Sequence, residues 1–263
     1  MNIIVCVKRV PETSEADILI DKSGKDIDKS GLVFDLSEWD SYAIEEALLL
    51  KEKLGGTVTV LSIGGEDSNE SLRKCLAMGA DHAVRLTDPA FERSDGFATA
   101  RILAEAIRRI PYDLILTGTQ AEDDGYGQVG VTLAELLGVS HAALVNRLDV
   151  QDKKVRVNRE LEGGLEEVLE MDLPSVLTIQ TGINEPRYVS IMGIRKVAKK
   201  EIQTLGTSDL NLKAEEVGLS GSDIQLEKIF LPPSGEGAEI LGGKPEEIAQ
   251  KVFDILKDKG GLT

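Results

Sequence analysis

The stretch Gly118–Gly130, GTQAEDDGYGQVG, carries the strongest chemical signal in the chain. It follows the apolar run Tyr112–Thr117 and precedes Val131–Leu137, whose apolar residues have helical spacing. A glycine-rich turn between a strand and a helix brings backbone N–H groups to a helix N-terminus, where a phosphate can be held. Gly and Asp are also the usual residues of any strand-to-helix connection, so an ordinary loop explains the same composition. Val7-Lys8-Arg9-Val10-Pro11 adds two cations at the end of the first apolar run, as ligand or partner contacts or as solvated charges. Ser37-Glu38-Trp39-Asp40 contains the only Trp, a ring that covers an adenine or a flavin or simply packs as an anchor. Asn184-Glu185-Pro186-Arg187-Tyr188 leads through Ser190–Ile194 to Arg195, Lys196, Lys199 and Lys200. That run is either a solvated helix face or a docking loop, with Ile191 as apolar anchor and the cations guiding an acidic partner.

Other chemistries find little support. His82 and His141 are the only histidines, and neither has zinc-type spacing to a cysteine or to the other. There is no G-x-S-x-G elbow. Cys6 and Cys75, the only cysteines, sit in apolar patterns, and Cys75 lies at helical spacing from Leu72 and Met78, as a core residue would. A reduced, cytoplasmic chain is the simplest reading. Any redox or group-transfer chemistry then falls to a bound cofactor. The net charge of −16 argues against nucleic acid or an anionic membrane surface as the main partner. No run is long enough to span a bilayer, and no signal peptide is evident.

The elements that must position these residues alternate in type. Asn2–Lys8 reads as a buried parallel strand. Residues 11–36 are polar and turn-rich. Ser37-x-x-Asp40 predicts a capping-box-like start to a helix over Asp40–Leu54, stopped by Gly55-Gly56. Thr57–Ile63, His82–Leu86, Tyr112–Thr117 and Ser175–Gln180 read as further strands, and Asn69–Met78 and Gly96–Ile110 as helices. Ala142–Val150, Val155–Leu161 and Leu165–Met171 read as a hairpin carried on the sheet. The order predicts an α/β fold, a Rossmann-like doubly wound parallel sheet with ligands at the strand C-termini. From Asn184 to about Gly242 the pattern is weak and extended; Pro245 then opens a last helix closed by Gly260-Gly261. We therefore expect a nucleotide-binding domain over 1–183 and a partner-recognition loop and C-terminal arm over 184–263, packed on another chain.

These motifs together resemble the β subunit of electron-transfer flavoproteins along nearly the whole chain. The resemblance is carried by Val7–Pro11, Ala43–Lys53 (AIEEALLLKEK), Ala77–Asp81 (AMGAD), the Gly118–Gly130 loop, Glu160–Gly164 (ELEGG) and Asn184–Tyr188 (NEPRY). It implies an αβ heterodimer whose α subunit supplies most of the site for a redox-active FAD. The β subunit would bury an adenine nucleotide, wrap the α subunit with its arm, and take part in passing electrons from a flavin-containing dehydrogenase to an acceptor. In this resemblance the segment after Asn184–Tyr188 docks the dehydrogenase, with Tyr188, Ile191, Met192, Arg195, Lys196, Lys199 and Lys200 at the contact. Nucleotide contacts would fall on Cys6, Ser37, Glu38, Trp39, Asp40, Ile63, Gly118, Thr119, Gln120, Ala121, Glu122, Asp123, Asp124, Gly125, Tyr126, Gly127, Gln128 and Val129. The amides of residues 125–129 would take phosphate, Cys6 and Ile63 would flank the adenine, and Asp123 and Asp124 suit ribose hydroxyls.

The resemblance has two branches. In one the nucleotide is AMP; in electron-bifurcating relatives a second FAD takes its place and oxidises NADH, and the loop reads Asp-Gly-Asp-Thr-Ala-Gln-Val-Gly-Pro. Here Asp123–Val131 reads DDGYGQVGV, which lacks the second Asp, the Thr and the Pro. Leu36–Asp40 (LSEWD) and Glu70–Leu76 (ESLRKCL) look like the AMP-containing branch that serves trimethylamine dehydrogenase. AMP is therefore the expected nucleotide and a second FAD the alternative. A stand-alone nucleotide-binding protein of the universal-stress type is a third reading, which the long arm disfavours.

Overall fold

The computed structural model describes residues 1–14, 16–233, 235 and 237–260. In chain order the strands and helices are β1 (Asn2–Cys6), β2 (Arg9–Pro11), β3 (Phe34–Leu36), α1 (Glu38–Leu54), β4 (Thr57–Ile63), α2 (Asn69–Met78), β5 (His82–Leu86), α3 (Gly96–Ile107), β6 (Leu114–Gly118), α4 (Val129–Leu137), β7 (Ser140–Gln151), β8 (Lys154–Leu161), β9 (Leu165–Asp172), β10 (Ser175–Ile179), α5 (Ile191–Lys196), β11 (Gln203–Leu205), α6 (Thr207–Leu210) and α7 (Pro245–Asp258). One sheet of nine strands runs β11-β5-β4-β1-β6-β10-β7-β8-β9. It is parallel from β11 to β7, and β8 and β9 extend it antiparallel. The doubly wound α/β expectation holds.

The continuous apolar runs end up between two helical layers, as strands without hydrophobic alternation must. On one face Ala43, Ile44, Ala47 and Leu48 of α1 join Leu72, Cys75 and Leu76 of α2. On the other, Ala100, Leu103 and Ile107 of α3 join Leu133 and Ala134 of α4. After β1 the chain winds outward through β4 and β5, then returns to place β6 on the other side of β1. The strand order therefore reverses between β1 and β6, and their C-terminal ends flank a crevice of the kind that takes ligands in open α/β sheets.

Several local expectations need correction. The strand expected over Asn2–Lys8 stops at Cys6, and Arg9–Pro11 instead pairs antiparallel with Phe34–Leu36 in a separate two-stranded ribbon. Strands of three residues, one ending in Pro11, leave no readable alternation. The capping box of Ser37 and Asp40 does not form. Ser37 is the N-cap of α1 but its side chain makes no capping bond, and the reciprocal bond is lost because the Asp40 carboxylate turns inward to strand-end amides while the Ser37 amide donates to Lys8 O. The helix begins at Glu38 rather than Asp40, and α4 begins at Val129 rather than Val131. α3 ends at Ile107, short of Ile110, and β6 covers Leu114–Gly118 rather than Tyr112–Thr117. The hairpin is a three-stranded meander whose first strand, β7, is parallel to β10.

The segment expected to be extended after Asn184 contains α5 and α6, and Gln203–Leu205 of β11 pairs parallel with β5 at the sheet edge. Leu210 and Val217 complete the core over α3. α7 does start at Pro245 and runs to Asp258, none of its residues is buried, and Gly261 lies outside the described residues.

Candidate functional site

Asp40 staples the switch point. Its Oδ2 accepts the Lys8 amide at 2.7 Å, just past β1, and its Oδ1 accepts the Gly118 amide at 2.9 Å, at the end of β6. Gly118 leaves room for this: a Cβ there would lie 2.6 Å from both Asp40 Oδ1 and Trp39 Cβ. Burial pushes the Asp40 carboxyl from 3.8 up to about 7, against the pull of the two amides. The folded chain thus binds this proton more tightly than the unfolded chain does. The resulting stability is complete below about pH 4 and is lost as pH rises to about 7. We expect the advantage of wild type over Asp40→Asn, read as denaturant midpoints, to be larger at pH 5 than at pH 8. Equal differences at the two pH values would refute this assignment.

The Gly118–Gly130 loop lies across this crevice. Glu122 reaches the head of α1, where its Oε1 accepts the Glu38 amide at 2.8 Å. The Lys8 ammonium, expected to face a ligand or solvent, donates to Asp123 at 2.6 Å and Asp124 at 2.8 Å. Burial opposes its charge, but the two carboxylates outweigh that and hold Lys8 above its usual range. Arg9 is also used internally, on Asp67, Glu70 and the face of Phe34. The loop's far end turns through Gly125 and Gly127 at φ +62° and +61°, a region costly for side chains. At Gly130 a Cβ would lie 2.5 Å from Thr178 Cγ2 and 2.7 Å from Thr117 Oγ1, so glycine lets α4 press directly on β6 and β10.

Two features of the crevice call for a polar ligand. The Ser37 hydroxyl is buried and has no hydrogen-bond partner among the described residues. The amides of Gly127, Gln128, Val129, Gly130 and Val131 at the head of α4 likewise have no protein acceptor among them. Unpaired buried polar groups are costly, and free amides at a helix start attract anions. These residues fit a nucleotide phosphate and hydroxyls.

Ser37–Asp40, Lys8 and residues 118–124 are thus brought together by direct hydrogen bonds. Cys6 lies at the end of β1, in register with Leu61 and Thr117, and Ile63 ends the neighbouring β4 on the same sheet edge. The Cys6 thiol is buried and pushed upward in pKa by that burial and by Asp40, so it stays protonated. Gln120, Tyr126 and Gln128 are exposed, while Ala121 and Val129 are half-buried. Thr119 is tied to β10 through its amide and hydroxyl on Ile179 O. Trp39 donates from Nε1 to Gln180 Oε1 at 3.2 Å. Gln180 and Thr178, the latter 3.3 Å from the Thr119 hydroxyl, escaped sequence reasoning. They ended an apolar strand with no motif to mark them. Cys75 is core, its thiol pushed up to about 12 by burial. Among the described residues no cluster could hold a metal.

The segment expected to dock a partner, residues 184–200, has its own anchor. Asn184 donates to Tyr42 O and to Glu46, and Arg187 clamps Glu45 with Nε and Nη2, each at 2.8 Å, while its Nη1 reaches Glu52 at 2.9 Å. Glu45 is only 3% exposed, so α1 offers a buried carboxylate to a single guanidinium. This fixed base presents Tyr188 (90% exposed), Ile191 (70%) and Met192 (69%) to solvent. Ser190 caps α5 through the Gly193 amide. Arg195, Lys196 and Lys199 are exposed without an ion pair among the described residues, whereas Lys200 folds back onto Ala80 O at 3.2 Å.

A family model described as "Electron transfer flavoprotein domain" matches residues 26–210. The protein named electron transfer flavoprotein subunit beta of Methylophilus methylotrophus is 39% identical, over 99% of this chain and 100% of that one. The chain belongs to the electron-transfer flavoprotein β-subunit family. Other relatives are the caffeyl-CoA reductase-Etf complex subunit CarD of Acetobacterium woodii, 37% identical over 98% of this chain and 99% of its own, and protein FixA of Azotobacter vinelandii, 36% identical over 97% and 94%. As an electron-transfer flavoprotein β subunit the chain is an electron-transfer protein that works with an α subunit, in a flavin-dependent assembly. No helix among its described residues is long and apolar enough to cross a membrane.

Proposed function

We propose that this β subunit holds AMP as a structural nucleotide between Ser37–Asp40 and the Gly118–Val129 loop, while the heterodimer's FAD is held mainly by the α subunit. The observation that carries this reading is that hydrogen bonds tie the Gly118–Glu122 stretch to the head of α1, which holds the unpartnered Ser37 hydroxyl, while the same loop runs on into the acceptor-free amides of Gly127–Val131. The amides suit phosphate, and the strand ends at Cys6 and Ile63 suit the adenine. Lys8 offsets Asp123 and Asp124, which lowers the repulsion a phosphate would meet beside these acids. When bound, the flavin supplies the redox chemistry; the residues of this chain bind and position.

The partners follow from the exposed surfaces. Ile191 and Met192 would insert into an electron-donating, flavin-containing dehydrogenase, with Arg195, Lys196 and Lys199 steering its acidic surface. The arm within 184–263 would pack on the α subunit. Phe230, Leu231, Ile240 and the Val252, Phe253, Ile255 and Leu256 stripe of α7 are exposed and need a cover. Free, buried Cys6 and Cys75 suit a cytoplasmic setting.

Electron bifurcation is the second reading, favoured by Gln128-Val129-Gly130 and by the 37% identity to a subunit named for a caffeyl-CoA reductase-Etf complex. It requires a second FAD in the crevice that oxidises NADH. Acid release of nucleotides from the purified heterodimer, followed by chromatography, separates the two. One FAD and one AMP per heterodimer is expected; two FAD without AMP would overturn the AMP assignment.

A further inference from the structure

We propose that residues 120–127 form a strap, held shut across the crevice by three consecutive acids, whose opening sets the rate at which bound nucleotide exchanges. The proposal rests on the nucleotide site inferred above. The fasteners are Glu122 on the Glu38 amide at the head of α1, and Asp123 and Asp124 on the ammonium of Lys8 beyond β1. Glu122 also lines a small recess with Val10, Pro11, Asp35 and Leu36, so the strap lies against the β2–β3 ribbon. Both ends are fixed: Thr119 donates to Ile179 O at 3.0 Å, and Gly130 is clamped between Thr117 and Thr178.

Between those ends no residue from Gln120 to Gln128 is buried, so charge holds the strap and core packing does not. The glycines at positive φ, Gly125 and Gly127, would let the segment move between its two fixed ends. The Lys8, Asp123 and Asp124 side chains are 42%, 30% and 40% exposed, so salt reaches these pairs. Closed, the strap covers a bound nucleotide; open, it lets the nucleotide leave.

The test uses the purified heterodimer loaded with isotope-labelled AMP and chased with unlabelled AMP. Lys8→Met and Glu122→Ala are expected to speed release about tenfold each, the effect of losing on the order of 1.4 kcal/mol. Release from wild type should quicken with ionic strength, and Lys8→Met should flatten that dependence. Lys29→Met, which removes the exposed pair with Asp26, should change nothing. If the crevice holds a second FAD, the same rates are read on that flavin, and faster release in the two variants still supports the strap. Bound nucleotide with unchanged release in both variants overturns the strap alone. A wild-type heterodimer with no nucleotide in this subunit overturns the site and the strap together.

Discussion

Gly118→Val should destabilise the protein by about 3 kcal/mol and strip the crevice of the nucleotide proposed for it. The added Cβ would sit 2.6 Å from Asp40 Oδ1 and from Trp39 Cβ, and 3.0 Å from the Trp39 carbonyl carbon. One of those neighbours is helix backbone and another is the carboxylate that ties β1 to β6. Overpacking of this kind typically costs about 1–3 kcal/mol, and displacing Asp40 leaves two strand-end amides unpaired. For a domain of this size the sum is a fall in Tm of roughly 10 °C. Gly125→Ala is the contrast. Nothing lies within 4 Å of its Cβ position, and only its left-handed φ of +62° opposes the change, a cost of about 1 kcal/mol. Thermal denaturation of both variants and of wild type, with nucleotide content measured on the same samples, checks the ranking. A Gly118→Val protein as stable as Gly125→Ala would mean that the switch point is not close-packed.

The second large effect belongs to Arg187. Its removal by Arg187→Ala leaves Glu45 buried without a counter-ion, a loss of about 3 kcal/mol for a pair of this kind. Arg187→Lys should recover only part, because an ammonium cannot clamp Glu45 from two nitrogens while also reaching Glu52. The damage should concentrate in the proposed docking segment, seen as faster amide exchange over residues 184–196 and weaker electron transfer from the proposed dehydrogenase donor. Ile191→Ala should weaken the same coupling while leaving stability and nucleotide content intact. Unchanged coupling in both variants would remove this segment from the proposed dehydrogenase contact.

The architecture was legible where the chain is apolar in long runs. NIIVC, TVTVLSI and SVLTI can only be strands buried on both faces, and Gly55-Gly56 marked where α1 stops. What escaped was set by tertiary partners. Asp40 looked like a helix cap because its spacing from Ser37 fits one; that two strand ends would compete for its carboxylate is invisible without the winding of the sheet. Lys8 looked free because Asp123 and Asp124 lie more than a hundred residues away. β11 has three residues and no alternation, and it exists because β5 offers an open edge. The Asn184–Tyr188 motif stood out in the sequence, but the partner of its Arg lay in Glu45, an acid inside the apolar stripe of a helix.

That late edge strand has a consequence for synthesis. Until Gln203–Leu205 has left the ribosome, β5 is the terminal strand of a nascent sheet, its Val84–Leu86 backbone groups unpaired. At about 5–20 residues per second, the stretch between Leu86 and Gln203 keeps that ladder open for on the order of ten seconds. An uncovered edge is a template for another chain, so during this interval β5 is open to pairing with a neighbour. The same three residues cover β5 and become the outer strand themselves, so the edge that remains is three residues long.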